Sequence, residues 1–313
     1  MIFTQTLQFL RSGDRSFCNA TSYRLTGYKL PATSYQLDRV KYRPGGQLMR
    51  PLLIATALLI AQPAFAQLAP HNEAGVTFGH VHLSVADPKV HHQLWVEQFG
   101  GVVSTKGTFT IVKLPNMMIA FRGTKPTGGT ETTALNHFGL KVPSMANAIA
   151  KWKAAGYEVQ REFKGSEGFL NAFLIGPDGL RFELQEDTTL KAPAVAYHLH
   201  FQVPEPAKLR DWYVDTYGLK AGKQGNFEVA EAPGMRLLFA PSKEAPTMGT
   251  RGTTVDHIGF EIKNLAEFLK KLEAKGIKLE TAYREVPAIG LNISYLYDPL
   301  NVYIEMTEGY TGY

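Results

Sequence analysis

GHVHLSVADP (79–88), NHFGLKVPS (136–144), YHLHFQVPEP (197–206) and DHIGFEIKN (256–264) are four versions of one stretch. Each opens with histidine and alternates, as a half-buried strand does. In the first, His80 and His82 share one face and Val81 takes the other. A helical pattern follows each time. Asp87 to Gly100 carries Leu94, Trp95 and Phe99 on one stripe. Ser144 caps a helix that groups Ala148, Ile149, Trp152 and Ala155 and stops at Gly156. Leu209, Trp212, Tyr213 and Tyr217 mark the third, ending at Gly218. Asn264 caps the fourth, with Leu265, Phe268, Leu269 and Leu272 inward and Gly276 as terminator. Two or three strands close each segment, ending in MMIAFRG (117–123), GPDGLRFELQE (176–186), GMRLLFAPS (234–242) and YDPLNVYIEMTE (297–308). The repeated unit reads β-α-β-β-β.

The repeats alternate in kind. His80 and His198 are 118 residues apart, as are His82 and His200; His137 and His257 are 120 apart, and Glu183 and Glu305 are 122 apart. Segments one and two are therefore duplicated as three and four. The spacing predicts two domains, 76–190 and 195–308, with the polar and Pro/Ala-rich link 187–196 as their boundary. Gly128-Gly129 reads as a flexible connection within the first domain.

The 313 residues carry a formal charge of +5, but the excess lies at one end. Residues 1–66 hold eight Lys/Arg and two acids, leaving 25 basic and 26 acidic residues in the remainder. A near-neutral body offers no footprint for a phosphate backbone, so no nucleic-acid partner is expected. MRPLLIATALLIAQPAFAQ (49–67) reads as a secretory signal peptide over 49–66: Arg50, an apolar run, and Ala64-Phe65-Ala66 before Gln67. The run is too short for a lasting membrane anchor. Residues 1–48 then read as a non-native or disordered extension, with Met49 the expected start. The single cysteine, Cys18, falls within it, so a mature chain without cysteine suits a periplasmic or secreted location.

The even segments begin with His137 and His257 and end with Glu183 and Glu305; the odd ones begin with His80 and His198 and end without a carboxylate. Each pair of segments thus supplies two imidazoles and one carboxylate on strands. Such a set suits a divalent metal with positions left open for water or a chelating substrate. A lone strand histidine is more often a core residue; two complete sets at matching places favour metal. Gly139 and Gly259, two residues after the second histidine, are expected to leave room for substrate. His82 and His200 are candidate acids or bases, each one step along from a ligand. Tyr295 or Tyr297 is a candidate donor to a bound oxygen. No G-x-S-x-G, P-loop or H-E-x-x-H occurs.

These openings and closings resemble the vicinal oxygen chelate (VOC) superfamily: glyoxalase I, fosfomycin-resistance enzymes, extradiol dioxygenases and bleomycin-resistance proteins. His80, Leu83, Val85 and Asp87 match its H-x-x-L-x-V-x-D opening, and Gly176-Pro177-Asp178-Gly179 with Glu183 matches its closing. The third and fourth openings are looser, and Asp298-Pro299-Leu300-Asn301 before Glu305 lacks the turn glycine. The likeness covers about residues 76–308. It implies an α+β fold in which four βαβββ modules pair into two half-barrel domains. It implies Fe(II), Mn(II) or Zn(II), or a related divalent ion, bound by His80, His137 and Glu183 in one site and by His198, His257 and Glu305 in the other.

Reaction is less legible. Extradiol enzymes typically carry a further histidine before the last closing motif, yet no histidine follows His257, and Phe173 stands at the tyrosine position of the first pair. Thiol-dependent members suit an exported protein poorly. The resemblance therefore implies a metal-dependent isomerase, lyase or dioxygenase-like enzyme, monomer or homodimer, acting on a small oxygen-rich molecule. The alternative is a bleomycin-resistance-type protein that sequesters its ligand without turnover.

Overall fold

A computed structural model describes residues 67–165, 167–310 and 313. The extension 1–48 and the signal segment 49–66 lie outside the described residues.

The four units follow the expected order. The first is β1 (Val76–Val85), α1 (Pro88–Phe99), β2 (Val102–Lys106), β3 (Phe109–Leu114) and β4 (Met117–Gly123). The second is β5 (Leu135–Val142), α2 (Met145–Ala154), β6 (Glu158–Lys164), β7 (Leu170–Ile175) and β8 (Arg181–Glu186). The third is β9 (Val195–Val203), α3 (Pro206–Tyr217), β10 (Lys220–Gln224), β11 (Phe227–Ala232) and β12 (Met235–Pro241). The fourth is β13 (Val255–Ile262), α4 (Leu265–Ala274), β14 (Thr281–Val286), β15 (Leu291–Tyr297) and β16 (Tyr303–Glu308). None of the described helices is long and apolar enough to cross a membrane.

Ser144 and Asn264 cap their helices as expected, and Asp87 does the same for α1. Asp87 accepts from Lys89 N, Ser144 from Asn147 N and Asn264 from Glu267 N, each satisfying a donor the first turn leaves free. Glu205 makes no such bond, and Pro206 instead presets the first turn of α3. Gly100 and Gly218 end α1 and α3 in the left-handed region, at φ 69° and 64°. The loosened last motif has a local reason: Asn301, at φ 63°, takes the left-handed place that Gly179 fills at φ 73°. Asparagine tolerates that region better than other side chains do.

Pairing of the units differs from the sequence expectation. One eight-stranded sheet runs β14-β15-β16-β13-β1-β4-β3-β2, and the other β10-β11-β12-β9-β5-β8-β7-β6. The first unit therefore joins the fourth, and the second joins the third. Opening strands meet antiparallel, β1 on β13 and β5 on β9. The expected domains 76–190 and 195–308 are corrected to sheets built from 76–123 with 255–308, and 135–186 with 195–241. The link 187–196 connects two units of one sheet and bounds no domain.

Sequence neighbours still pack, but through their helices. Trp95 of α1 lies 5.4 Å from Phe182 and 6.0 Å from Phe138, both of the other sheet. Tyr217 of α3 stacks 4.2 Å from Phe260. The aspartates of the closing motifs join the same seams. Asp178 pairs with His91 at 3.0 Å, and buried Asp298 accepts from Tyr213 at 3.0 Å. One continuous apolar core includes both sheets and all four helices. Hydrophobic burial thus ties together the units that the strand ladders keep apart.

Candidate metal centres

Each curled sheet forms a cup with titratable side chains at its floor. The register explains which ones. In the first cup, His80 faces Gly259 and His82 faces His257 across β1 and β13, while Glu305 lies beside Gly259 on β16. In the second, His198 faces Gly139 and His200 faces His137 across β9 and β5, while Glu183 lies beside Gly139 on β8. The clusters are His80, His82, His257 and Glu305, and His137, Glu183, His198 and His200.

All six residues expected as ligands sit in these clusters, but their grouping changes. His80 is not with His137 and Glu183, and His198 is not with His257 and Glu305. Strand pairing exchanges the odd histidines because the odd and even units of one sequence half fall in different sheets. The glycines also have another task. A Cβ on Gly139 would lie 2.7 Å from His198 Nε2, and one on Gly259 would lie 2.5 Å from His80 Nε2. The missing side chains admit the opposing imidazoles, so the expected room for substrate at these positions is taken.

In the second cup, Arg181 Nη1 donates to Asn136 Oδ1 at 2.8 Å, which identifies that atom as oxygen. The same oxygen lies 2.8 Å from His137 Nδ1, so that nitrogen carries the proton. Burial, outweighing Glu183, lowers His137 to about 4 and keeps it neutral at pH 7. Its Nε2 lone pair then points at Glu183 Oε2, 2.8 Å away, and at His198 Nε2, 3.3 Å away. His198 Nε2 is 3.5 Å from the same carboxylate oxygen. Two imidazole nitrogens and one carboxylate oxygen thus converge within 3.5 Å of one another. A metal about 2.1 Å from each donor holds tetrahedral neighbours roughly 3.4 Å apart. The donor set therefore fits a divalent ion.

The first cup shares the plan with a different charge balance. His257 Nδ1 meets Asp256 Oδ1 at 2.7 Å, where the second cup has neutral Asn136. His257 Nε2 and His80 Nε2 both meet Glu305 Oε2, at 3.0 and 2.9 Å. Burial disfavours charge on His257, yet Asp256 and Glu305 together raise it. Tyr295 donates to Glu305 Oε1 at 2.7 Å, so its hydroxyl is engaged by the carboxylate. Burial and Glu305 push its pKa up, keeping it a donor. Tyr297 instead accepts from Arg251. Asn171 donates to Glu183 in the second cup, a contact the sequence did not signal. Asn136 and Asp256 were likewise missed. Their place immediately before each even histidine is a readable cue, because the ring nitrogen turned away from a metal needs an acceptor.

The cups differ in access. Glu183, His198 and His200 line a cavity of about 280 Å³ walled by Phe163, Phe173 and Phe227. In the first cup a buried cluster of Ile111, Met118, Ala120, Leu291, Ile293 and Tyr310 occupies the sheet face. The Tyr310 ring lies 5.2 Å from His80. Glu261 holds this plug by accepting from Gly309 N and Tyr310 N at 2.8 and 2.9 Å. Burial outweighs these bonds and pushes Glu261 up to about 7 from its free value of 4.5. Stability from this raised pKa is full below about 4.5 and is lost as pH rises through about 7. Glu261→Gln keeps the acceptor without the charge. Urea unfolding is expected to show it more stable than wild type at pH 8 by up to about 3 kcal/mol, and unchanged near pH 4.

No family model matches the sequence, and no curated protein matches it. Solved structures do. Glyoxalase I from Zea mays superposes with a TM-score of 0.59 at 15% identity, covering 74% of this chain and 92% of that one. A putative dioxygenase from Bacillus subtilis gives 0.58 at 15% identity, covering 78% and 87%. The fold expected from the repeats is therefore present: the chain has the vicinal oxygen chelate fold, with four βαβββ units in two half-barrel sheets and a His/Glu cluster in each that could hold a metal.

Proposed function

We propose that this protein is an exported, divalent-metal-dependent enzyme that works in its second cup, on adjacent oxygens of a small oxygen-rich molecule. The observation that carries this reading is the convergence of His137, His198 and Glu183, the last two of which line a cavity of about 280 Å³. His137, His198 and Glu183 would hold the ion there, and His80, His257 and Glu305 would hold a second in the first cup. The ion, Fe(II), Mn(II) or Zn(II), would supply Lewis acidity toward bound oxygens. The chain's own contribution is orientation. Asn136 and Arg181 fix the His137 tautomer, Asn171 fixes Glu183, and the phenylalanines exclude water from one side of the cavity. Isomerase, lyase and dioxygenase-like chemistry all suit this arrangement. Export is supported by the sequence of residues 49–67.

Elemental analysis of residues 67–313 tests the reading, on wild type, His137→Ala and His257→Ala. About two metals per chain are expected, with one lost in each variant. Turnover of a diol, hydroxyketone or catechol should disappear in His137→Ala. No metal after reconstitution with Fe(II), Mn(II) and Zn(II) in turn would defeat the enzyme reading and leave ligand sequestration.

A further inference from the structure

In each cup the even unit brings a glycine on its opening strand and a carboxylate beside it on its closing strand: Gly259 with Glu305, and Gly139 with Glu183. The odd unit reverses this. His82 stands where symmetry about the paired strands places the glycine, and Ala120 lies beside it; His200 stands likewise beside Leu238. The donor has moved from the closing strand to the opening one.

His82 and His200 have no other employment. Both ring nitrogens of His82, and Nε2 of His200, are buried without a partner among the described residues. Leaving such a group buried and unpaired is unfavourable. Yet each residue offers a nitrogen within 4.8 Å of the donor atoms of the other three members of its cluster. His200 faces His137 with ring centroids 4.8 Å apart, and His82 faces His257 at 4.4 Å.

We infer that His82 and His200 are fourth metal ligands, so that each cup binds its ion through three imidazoles and one carboxylate. This rests on the metal reading above and replaces the acid–base role expected from sequence. A proton-transfer residue must stay off the ion, whereas a ligand is part of the binding constant. Four protein donors leave a six-coordinate ion two positions, enough for two adjacent oxygens, and close a tetrahedral one. The second cup, with its cavity, is then suited to an ion that accepts six ligands.

Cobalt(II) titration of the metal-free chain separates the roles, followed by visible absorption and with a thermal melt to check folding. His200→Ala is expected to weaken binding at the second cup at least tenfold, and His82→Ala at the first, each with an altered cobalt spectrum. His200→Cys is expected to restore binding and add a near-ultraviolet thiolate-to-cobalt band, which a residue held away from the ion would not produce. Wild-type affinity and spectrum in a folded His200→Ala, or no thiolate band in a folded His200→Cys, would overturn the inference while leaving the metal reading intact. Failure of the wild type to take up cobalt(II) would overturn both.

Discussion

Gly259→Ala is expected to destabilise the protein and strip the metal from the first cup. The added methyl would meet the His80 ring, with Nε2 only 2.5 Å away. His80 is fully buried, and Tyr310 packs on its ring, so it has no free path of retreat. Overpacking of this kind costs about 1–3 kcal/mol. The metal is lost for a separate reason: the ring that moves is the one that meets Glu305. Gly139→Ala should do the same to His198 in the second cup. Gly222→Ala is the control, since its Cβ meets only Val229 Cβ at 3.8 Å. Thermal unfolding together with metal counting reads both effects. Full metal occupancy in Gly259→Ala would show that His80 has another place to stand.

Glu183→Gln is expected to abolish turnover, while Glu305→Gln leaves most of it. The two carboxylates are matched in sequence and in cluster, but only Glu183 faces the open cavity. Its loss leaves His137 and His198 converging without the negative charge between them. The amide can offer its NH₂ group where an acceptor is needed. We expect metal affinity at that cup to fall at least a hundredfold, in line with loss of an ionised ligand. Glu305→Gln should release the other ion and cost stability, because it breaks contacts to His80, His257 and Tyr295. Metal content and turnover measured on the same preparations separate the cups. Equal loss of turnover in both variants would show that the first cup also works.

Alternation and capping were legible in the sequence because they are local. His80 and His82 on one face, Ser144 and Asn264 as caps, and the stripes of the first and fourth helices are as read, while Ala155, expected inward on the second, is exposed. The strand ends that carry Glu183 and Glu305 were legible for the same reason. Strand pairing was not, because no short-range pattern says which opening strand β1 will join. Duplication made segments one and two look like a domain, and their helices do share a core through Trp95, Phe138 and Phe182. Hydrogen bonding joins β1 to β13 instead, and the donors follow the sheet. Access escaped for a similar reason. Tyr310 is remote in sequence from His80, and nothing near either residue announces their contact.

Pairing the first unit with the fourth and the third with the second has a consequence for how such a chain can change. Two copies of a two-unit chain, each lending strands to the other about a twofold axis, would present the same pairs. Here the copies are joined end to end, so the partner is always at hand and assembly does not depend on dilution. Joining also releases the sites from equality. In a symmetric pair every substitution would appear in both cups. In this chain Asn136 can answer to Asp256, Asn171 to Ile293, and Phe173 to Tyr295. One cup has kept an entrance while the other has filled with its own side chains.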